Sequence, residues 1–228
     1  MSTLYPARVV AIAPEADSLY DLHVDVSGTP IAGTHAHPGQ YVLLSLDEHE
    51  PQPFAIASEP GATELEFLVK GGSPLSDALT RIRPGQRVRL TMAQGPGFPL
   101  ERAKGQEVLL FATGSGISAI RSTLLSIRQH RGDYADVTLF FGARTPTAFA
   151  YLDEHSEWEA DRIQVVRTVS QPGESGWTGL TGYVQQHLSD VGHPGAIAFV
   201  CGQPDMVKGV TEALQRNGVP TENVFLNF

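Results

Sequence analysis

Two strand patterns in one chain predict its fold class: an antiparallel barrel or sandwich with one inserted helix, followed by a doubly wound α/β domain on a parallel sheet. Up to about residue 102, apolar residues come in short alternating runs broken by Pro, Gly and acidic turns, as half-buried antiparallel strands require. From Gln106 onward, compact apolar runs alternate with stretches of helical spacing, the pattern of parallel strands covered by helices on both faces. The third observation is residues 109–122, LLFATGSGISAIRS, which reads as the end of a strand, a glycine turn and the start of a helix. Glycines let a phosphate or ribose approach the backbone, and a helix start offers unpaired N–H groups to an anion. The third glycine of the dinucleotide fingerprint is missing, so this segment alone fits a bare tight turn as well as a nucleotide site.

Taken in order, strands are expected at 7–13, 19–26, 41–46, 65–70 and 88–91. One short helix, LSDALTRI at 75–82, lies among them. The Gly- and Pro-dense segment 95–105, GPGFPLERAKG, marks the seam and divides the chain into domains 1–102 and 103–228. Beyond it, strands at 107–112, 137–142, 163–168 and 196–201 alternate with helices at 117–131, 147–155, 182–189 and 204–217. A strand at 223–226 follows. In an open parallel sheet, ligands bind outside the carboxyl ends of the strands. Here those ends are 113–116, 142–145, 168–171 and 201–204, so a nucleotide site is expected along that edge.

Composition narrows the function classes. The chain has 228 residues, 41% of them hydrophobic, enough for one large domain or two smaller ones with real cores. No apolar run approaches the ~18 residues of a membrane span, and MSTLYPARVV lacks the charged start and apolar middle of a signal peptide. A single cysteine, Cys201, excludes an intrachain disulfide and an iron–sulfur cluster held by this chain's own thiolates; cytoplasmic residence is expected. A formal charge of −9 argues against nucleic-acid partners.

Six segments in order resemble the ferredoxin–NADP reductase family, nearly end to end. PGQYVLLSL (38–46) resembles the strand before the family's flavin motif, and QPFAIAS (52–58) the motif itself, usually Arg-x-Tyr-Ser followed by small residues. VKGGSPLSDAL (69–79) resembles the segment whose glycines and hydroxyls hold flavin phosphates. TGSGISAIRS resembles the nicotinamide-domain glycine turn, and FFGART (140–145) and FVCGQPDMV (199–207) the later strand ends, with Cys-Gly as a family mark. The resemblance implies a Greek-key FAD-binding β-barrel and a pyridine-nucleotide domain. It implies flavin contacts from Gln52, Pro53, Phe54, Ala55, Ile56, Ala57, Val69, Gly71, Gly72 and Ser76. Nucleotide contacts would come from Thr113, Gly114, Ser115, Gly116, Arg144, Cys201 and Gly202, and the terminal Phe228 would cover the flavin.

The same alignment exposes departures. Gln52 stands for the motif's Arg and cannot offer a fixed cationic fork to a pyrophosphate. Phe54 keeps a stacking face but not the Tyr hydroxyl, Ala55 lacks the Ser hydroxyl near the flavin's reactive nitrogen, and Ala119 replaces a proline. Uncompensated, these losses weaken flavin binding by roughly 2–5 kcal/mol.

The expected activity is an oxidoreductase passing hydride from NAD(P)H to bound FAD and electrons to a partner protein or small acceptor. Cys201 and Ala55 are the residues nearest the transfer, and orientation rather than covalent chemistry carries the rate. NADH is favoured over NADPH because Gln171 stands at a strand end where relatives reading a 2′-phosphate often carry Arg, and Arg167 alternates away. The rivals are a binding or regulatory subunit that has lost flavin and an electron-transfer subunit acting inside a complex with an iron–sulfur protein. His35 and His37 lack Asp or Cys at ligand spacing, so no metal is expected. Arg144 reads equally as a solvated surface charge, Phe228 as a residue packed on the barrel, and Ser76 with Asp77 as a capped helix start, which is compatible with phosphate binding.

Overall fold

The computed structural model describes residues 3–227. Its first half is a curled antiparallel sheet of β1 (Tyr5–Ala16), β2 (Leu19–Asp25), β3 (Tyr41–Ser45), β4 (Gln52–Ala55), β5 (Glu64–Lys70) and β6 (Arg87–Leu90), with α1 (Pro74–Leu79) inserted between β5 and β6. The strand order is β4-β3-β6-β1-β2-β5. The edges β4 and β5 meet without a full ladder: just past β4, the Ala57 N–H donates to Glu66 O at 2.8 Å, and the Glu66 N–H donates to Ser58 Oγ at 3.2 Å. With that closure, β3, β4 and β5 are neighbours in turn and β6 returns beside β3, a Greek key. The expected barrel is therefore present but not fully closed.

Alternation explains how this half faces two cores. In β5, Leu65, Phe67 and Val69 point into the barrel with Val24, Val42 and Leu44. Leu68 points the other way and joins Leu19, Ala57 and Phe98 in the core of the second half.

That second core is built on β7 (Val108–Thr113), β8 (Val137–Ala143), β9 (Ile163–Val169), β10 (Leu180–Thr181), β11 (Ile197–Cys201) and β12 (Val224–Leu226). They pair in parallel in the order β10-β9-β8-β7-β11-β12. VLLFA in β7 and IAFVC in β11 are buried throughout, as strands covered on both faces must be. The helices are α2 (Ile117–Gln129), α3 (Leu152–Ala160) and α4 (Pro204–Arg216). Strand order reverses between β7 and β11, which opens a crevice at their carboxyl ends.

Two expected helices differ. The run at 147–155 does not begin a helix, because Tyr151 takes a left-handed conformation (φ 59°) and anchors with Phe149 and Ala150 in the core; α3 starts after it. At 182–189 there is only a single 3-10 turn at Val184–His187, which suffices to bury Val184 and Leu188. Among the described residues, no helix is long and apolar enough to cross a membrane.

A polar seam joins the two sheets. Arg121 on α2 is buried and donates to Glu66 Oε2 of β5 at 2.5 Å, to Ala57 O at 3.2 Å and to Glu154 Oε1 of α3 at 2.8 Å. Its guanidinium also stacks 4.5 Å above the Tyr151 ring. Nearby, His23 is bonded through both ring nitrogens, to Asp21 at 3.0 Å and Glu64 at 2.8 Å. The bond to Asp21, helped by Glu64 against partial burial, raises its pKa to about 9. A raised histidine stabilises the fold fully below its unfolded value and loses that contribution as pH rises through the folded one. We therefore expect stability to fall by on the order of 2 kcal/mol between pH 6.5 and 9.5, and His23→Gln to flatten that slope. Urea unfolding at stepped pH checks this; equal slopes for both chains would refute it.

Candidate functional site

A cavity of about 450 Å³ lies where the barrel edge faces the crevice between β7 and β11. One wall is β4, contributing Gln52, Pro53, Phe54 and Ala55. The end of β5 and the start of α1 supply Leu68, Lys70, Gly71, Gly72, Ser73 and Ser76. The opposite wall is Thr113 to Gly116 with Ser118, and Cys201, Gly202 and Gln203 complete it. Lys70 is the one charged side chain in this lining among the described residues.

Thirteen residues expected from the sequence thus meet in one space, although they come from four separate segments: Gln52 to Ala55, Gly71, Gly72, Ser76, Thr113 to Gly116, Cys201 and Gly202. Others stand elsewhere. Ile56 and Val69 are buried inside the barrel, and Ala57 lies in the core shared by the two sheets. Arg144, at the end of β8, is exposed on the neighbouring strand edge and donates to Gln171 Oε1 at 2.8 Å. Phe228 lies outside the described residues. Lys70, Ser73, Ser118 and Gln203 lie inside the recognised segments but were not singled out, and Leu68 reaches the cavity only through the fold.

The two helix starts facing the cavity differ in their donors. At α2, a 3-10 turn, Gly114–Gly116, leads into the helix, and no side chain caps it. Gly114 adopts φ 54°, with open space where a side chain would stand. Unpaired N–H groups and the positive helix end there suit an anion. At α1 the Ser73 side chain accepts from the Ser76 N–H at 3.2 Å, and the Ser73 N–H donates to Ser76 Oγ at 3.0 Å, closing a capping box.

The crevice floor is tightly made. A Cβ on Gly116 would sit 2.4 Å from Cys201 O and 2.9 Å from Gly202 Cα, so this glycine lets the α2 turn press against the end of β11. Thr113 Oγ1 accepts from the Gln203 N–H at 3.2 Å and holds the two strand ends together. Burial pushes the Cys201 thiol up to about 12, so it is neutral at physiological pH and a poor nucleophile.

Burial also lowers His35 to about 4 and keeps its imidazole uncharged. Among the described residues, the cluster with metal-ligand spacing is Asp21, His23 and Glu66. There both ring nitrogens already face carboxylates and Glu66 is held by Arg121, an imidazolium–guanidinium network rather than an open donor set.

Residues 110–212 match the model of the oxidoreductase NAD-binding domain. The chain is 31% identical to ferredoxin–NADP reductase B of Sorangium cellulosum (strain So ce56) over 96% of its own length and 95% of that protein. It is also 31% identical to fruit protein pKIWI502 of Actinidia deliciosa, over 97% of this chain and 76% of that one. Its fold matches the crystal structure of a ferredoxin NADP+ reductase from Neisseria gonorrhoeae with bound FAD and NADP. That match has a TM-score of 0.83 at 18% identity and covers 99% of this chain and 98% of the other.

Proposed function

The chain belongs to the ferredoxin–NADP reductase family, and on that premise we propose that it is a pyridine-nucleotide-dependent flavin oxidoreductase that passes electrons to a partner protein or small acceptor. The observation that carries this reading is the single cavity shared by the β4 wall, the uncapped α2 turn and Cys201-Gly202. FAD, when bound, would supply the chemistry that accepts hydride and releases electrons singly.

The protein's part is placement. Phe54 offers a flat apolar face and Ala55 a small one, so a planar ring system can lie along β4 without meeting a charge. Gly114 to Gly116 would take the phosphates of NADH at the open N–H groups of the α2 turn. Cys201 and Gly202, pinned to β7 by the Thr113–Gln203 bond, would back the nicotinamide with a neutral, unreactive surface. Among the described residues no proton relay is built into this wall, so orientation carries the rate. NADH is proposed over NADPH on the strength of Gln171 at the end of β9, and a cytoplasmic setting on the single cysteine. With one thiol this chain cannot ligate a cluster itself, which makes an iron–sulfur protein a fitting acceptor.

Loading the chain with FAD and mixing it with NADH in a stopped-flow instrument tests the reading through loss of flavin absorbance. Cys201→Ala is expected to slow that loss roughly tenfold while changing nucleotide affinity less than about threefold, because it disturbs alignment more than binding. A flavin-loaded chain that neither NADH nor NADPH bleaches would overturn the proposal.

A further inference from the structure

At α1, the loop expected to cradle flavin phosphates already holds an anion of its own. The Gly72 N–H donates to Asp77 Oδ1 at 2.8 Å, a charge-assisted bond at the mouth of the turn. Four neighbouring donors are engaged as well: the Gly71 N–H with Ser18 O, the Ser73 N–H with Ser76 Oγ, the Ser76 N–H with Ser73 Oγ, and the Asp77 N–H with Ser73 O, which leaves the Leu75 N–H at the helix start. Pro74 has no N–H to give. Gln52, where the family motif has a cation, accepts from Ser73 Oγ at 3.3 Å. Among the described residues the cation of the lining is Lys70, at the end of β5.

Resting on the flavin reading above, we infer that Asp77 occupies the phosphate position of this site, so that the chain recognises the flavin ring system and gains little from its phosphates. The contrast with α2 supports this. That helix start, facing the same cavity, is uncapped and open, whereas α1 is closed by a capping box and a carboxylate. A phosphate entering at Gly72 must displace Asp77 from its donor and remain beside a like charge. A ligand without phosphate meets neither obstacle. The chemical class taken at the β4 wall is therefore the isoalloxazine ring with its ribityl chain, phosphorylated or not.

The experiment titrates the full chain, free of flavin, with riboflavin, FMN and FAD and follows quenching of flavin fluorescence. The native chain is expected to bind all three within about threefold of one another. Asp77→Asn keeps an acceptor for the Gly72 N–H but removes the charge, and should tighten FMN and FAD roughly tenfold while riboflavin changes less than about twofold. Asp77 lies partly exposed at a helix start, and the comparison among ligands on the native chain needs no variant at all. Native binding of FMN or FAD more than about tenfold tighter than riboflavin would overturn the inference, as would an Asp77→Asn chain with an unchanged ratio. A chain that binds none of the three removes the flavin reading itself, an outcome distinct from either.

Discussion

Gly116→Ala should cut nucleotide-dependent flavin reduction by about a hundredfold or more and lower the unfolding free energy by about 3 kcal/mol. The reason lies in three backbone atoms. A methyl group at this position meets Cys201 O at 2.4 Å, Cys201 C at 2.7 Å and Gly202 Cα at 2.9 Å, and none of these can swing aside as a side chain tip could. Relief requires the α2 turn to lift from β11, which widens the crevice and breaks the Thr113–Gln203 bond. Gly114→Ala is the control. Its left-handed backbone costs about 1 kcal/mol with a side chain, but the space is open, so the fold should survive while nucleotide affinity drops modestly. Denaturant unfolding paired with stopped-flow reduction separates the two. A Gly116→Ala chain as stable and active as Gly114→Ala would show the close packing to be unimportant.

The largest purely structural effect is expected from Arg121→Met, about 3–5 kcal/mol of destabilisation. The substitution leaves the Glu66 and Glu154 carboxylates facing each other's surroundings without their shared cation, strips a donor from Ala57 O and removes the stacking on Tyr151. Because the cost comes from stranded charge, Glu66→Gln in the Arg121→Met background should return part of it, on the order of 1 kcal/mol or more. Urea midpoints of the single and double variants provide the measurement. Strict additivity of the two substitutions would mean that the pair is not energetically coupled.

Much of the architecture was legible because it is written in local periods. The all-apolar runs at β7, β8 and β11 and the two-residue alternation of β2 and β5 can mean little else. What escaped was set by long-range contacts. A left-handed Tyr151 moved the start of α3, because its ring is fixed under Arg121 and its N–H by Glu15, neither of which is near it in sequence. β4 has only four residues and includes Pro53, so it read as a motif rather than a strand until β3 paired with it. At the site, the glycines and Cys201-Gly202 were recognisable as a spaced pattern. The occupation of the α1 loop by Asp77 was not, since an acidic residue in a first helical turn is equally what a free-standing helix would choose.

Leu68 and Ala57 end their side chains in the core of β7 and α2 rather than in their own barrel. An engineer wishing to graft this barrel onto the nucleotide half of a relative would therefore find that the useful cut is not a point in the sequence. The transplanted piece must bring a matching surface for α2, and with it the arginine that reads the barrel's carboxylate and carbonyl. Chimeras that exchange the two halves at the seam should fail by mismatch at that surface, while those that also exchange the facing residues of α2 keep a continuous interior.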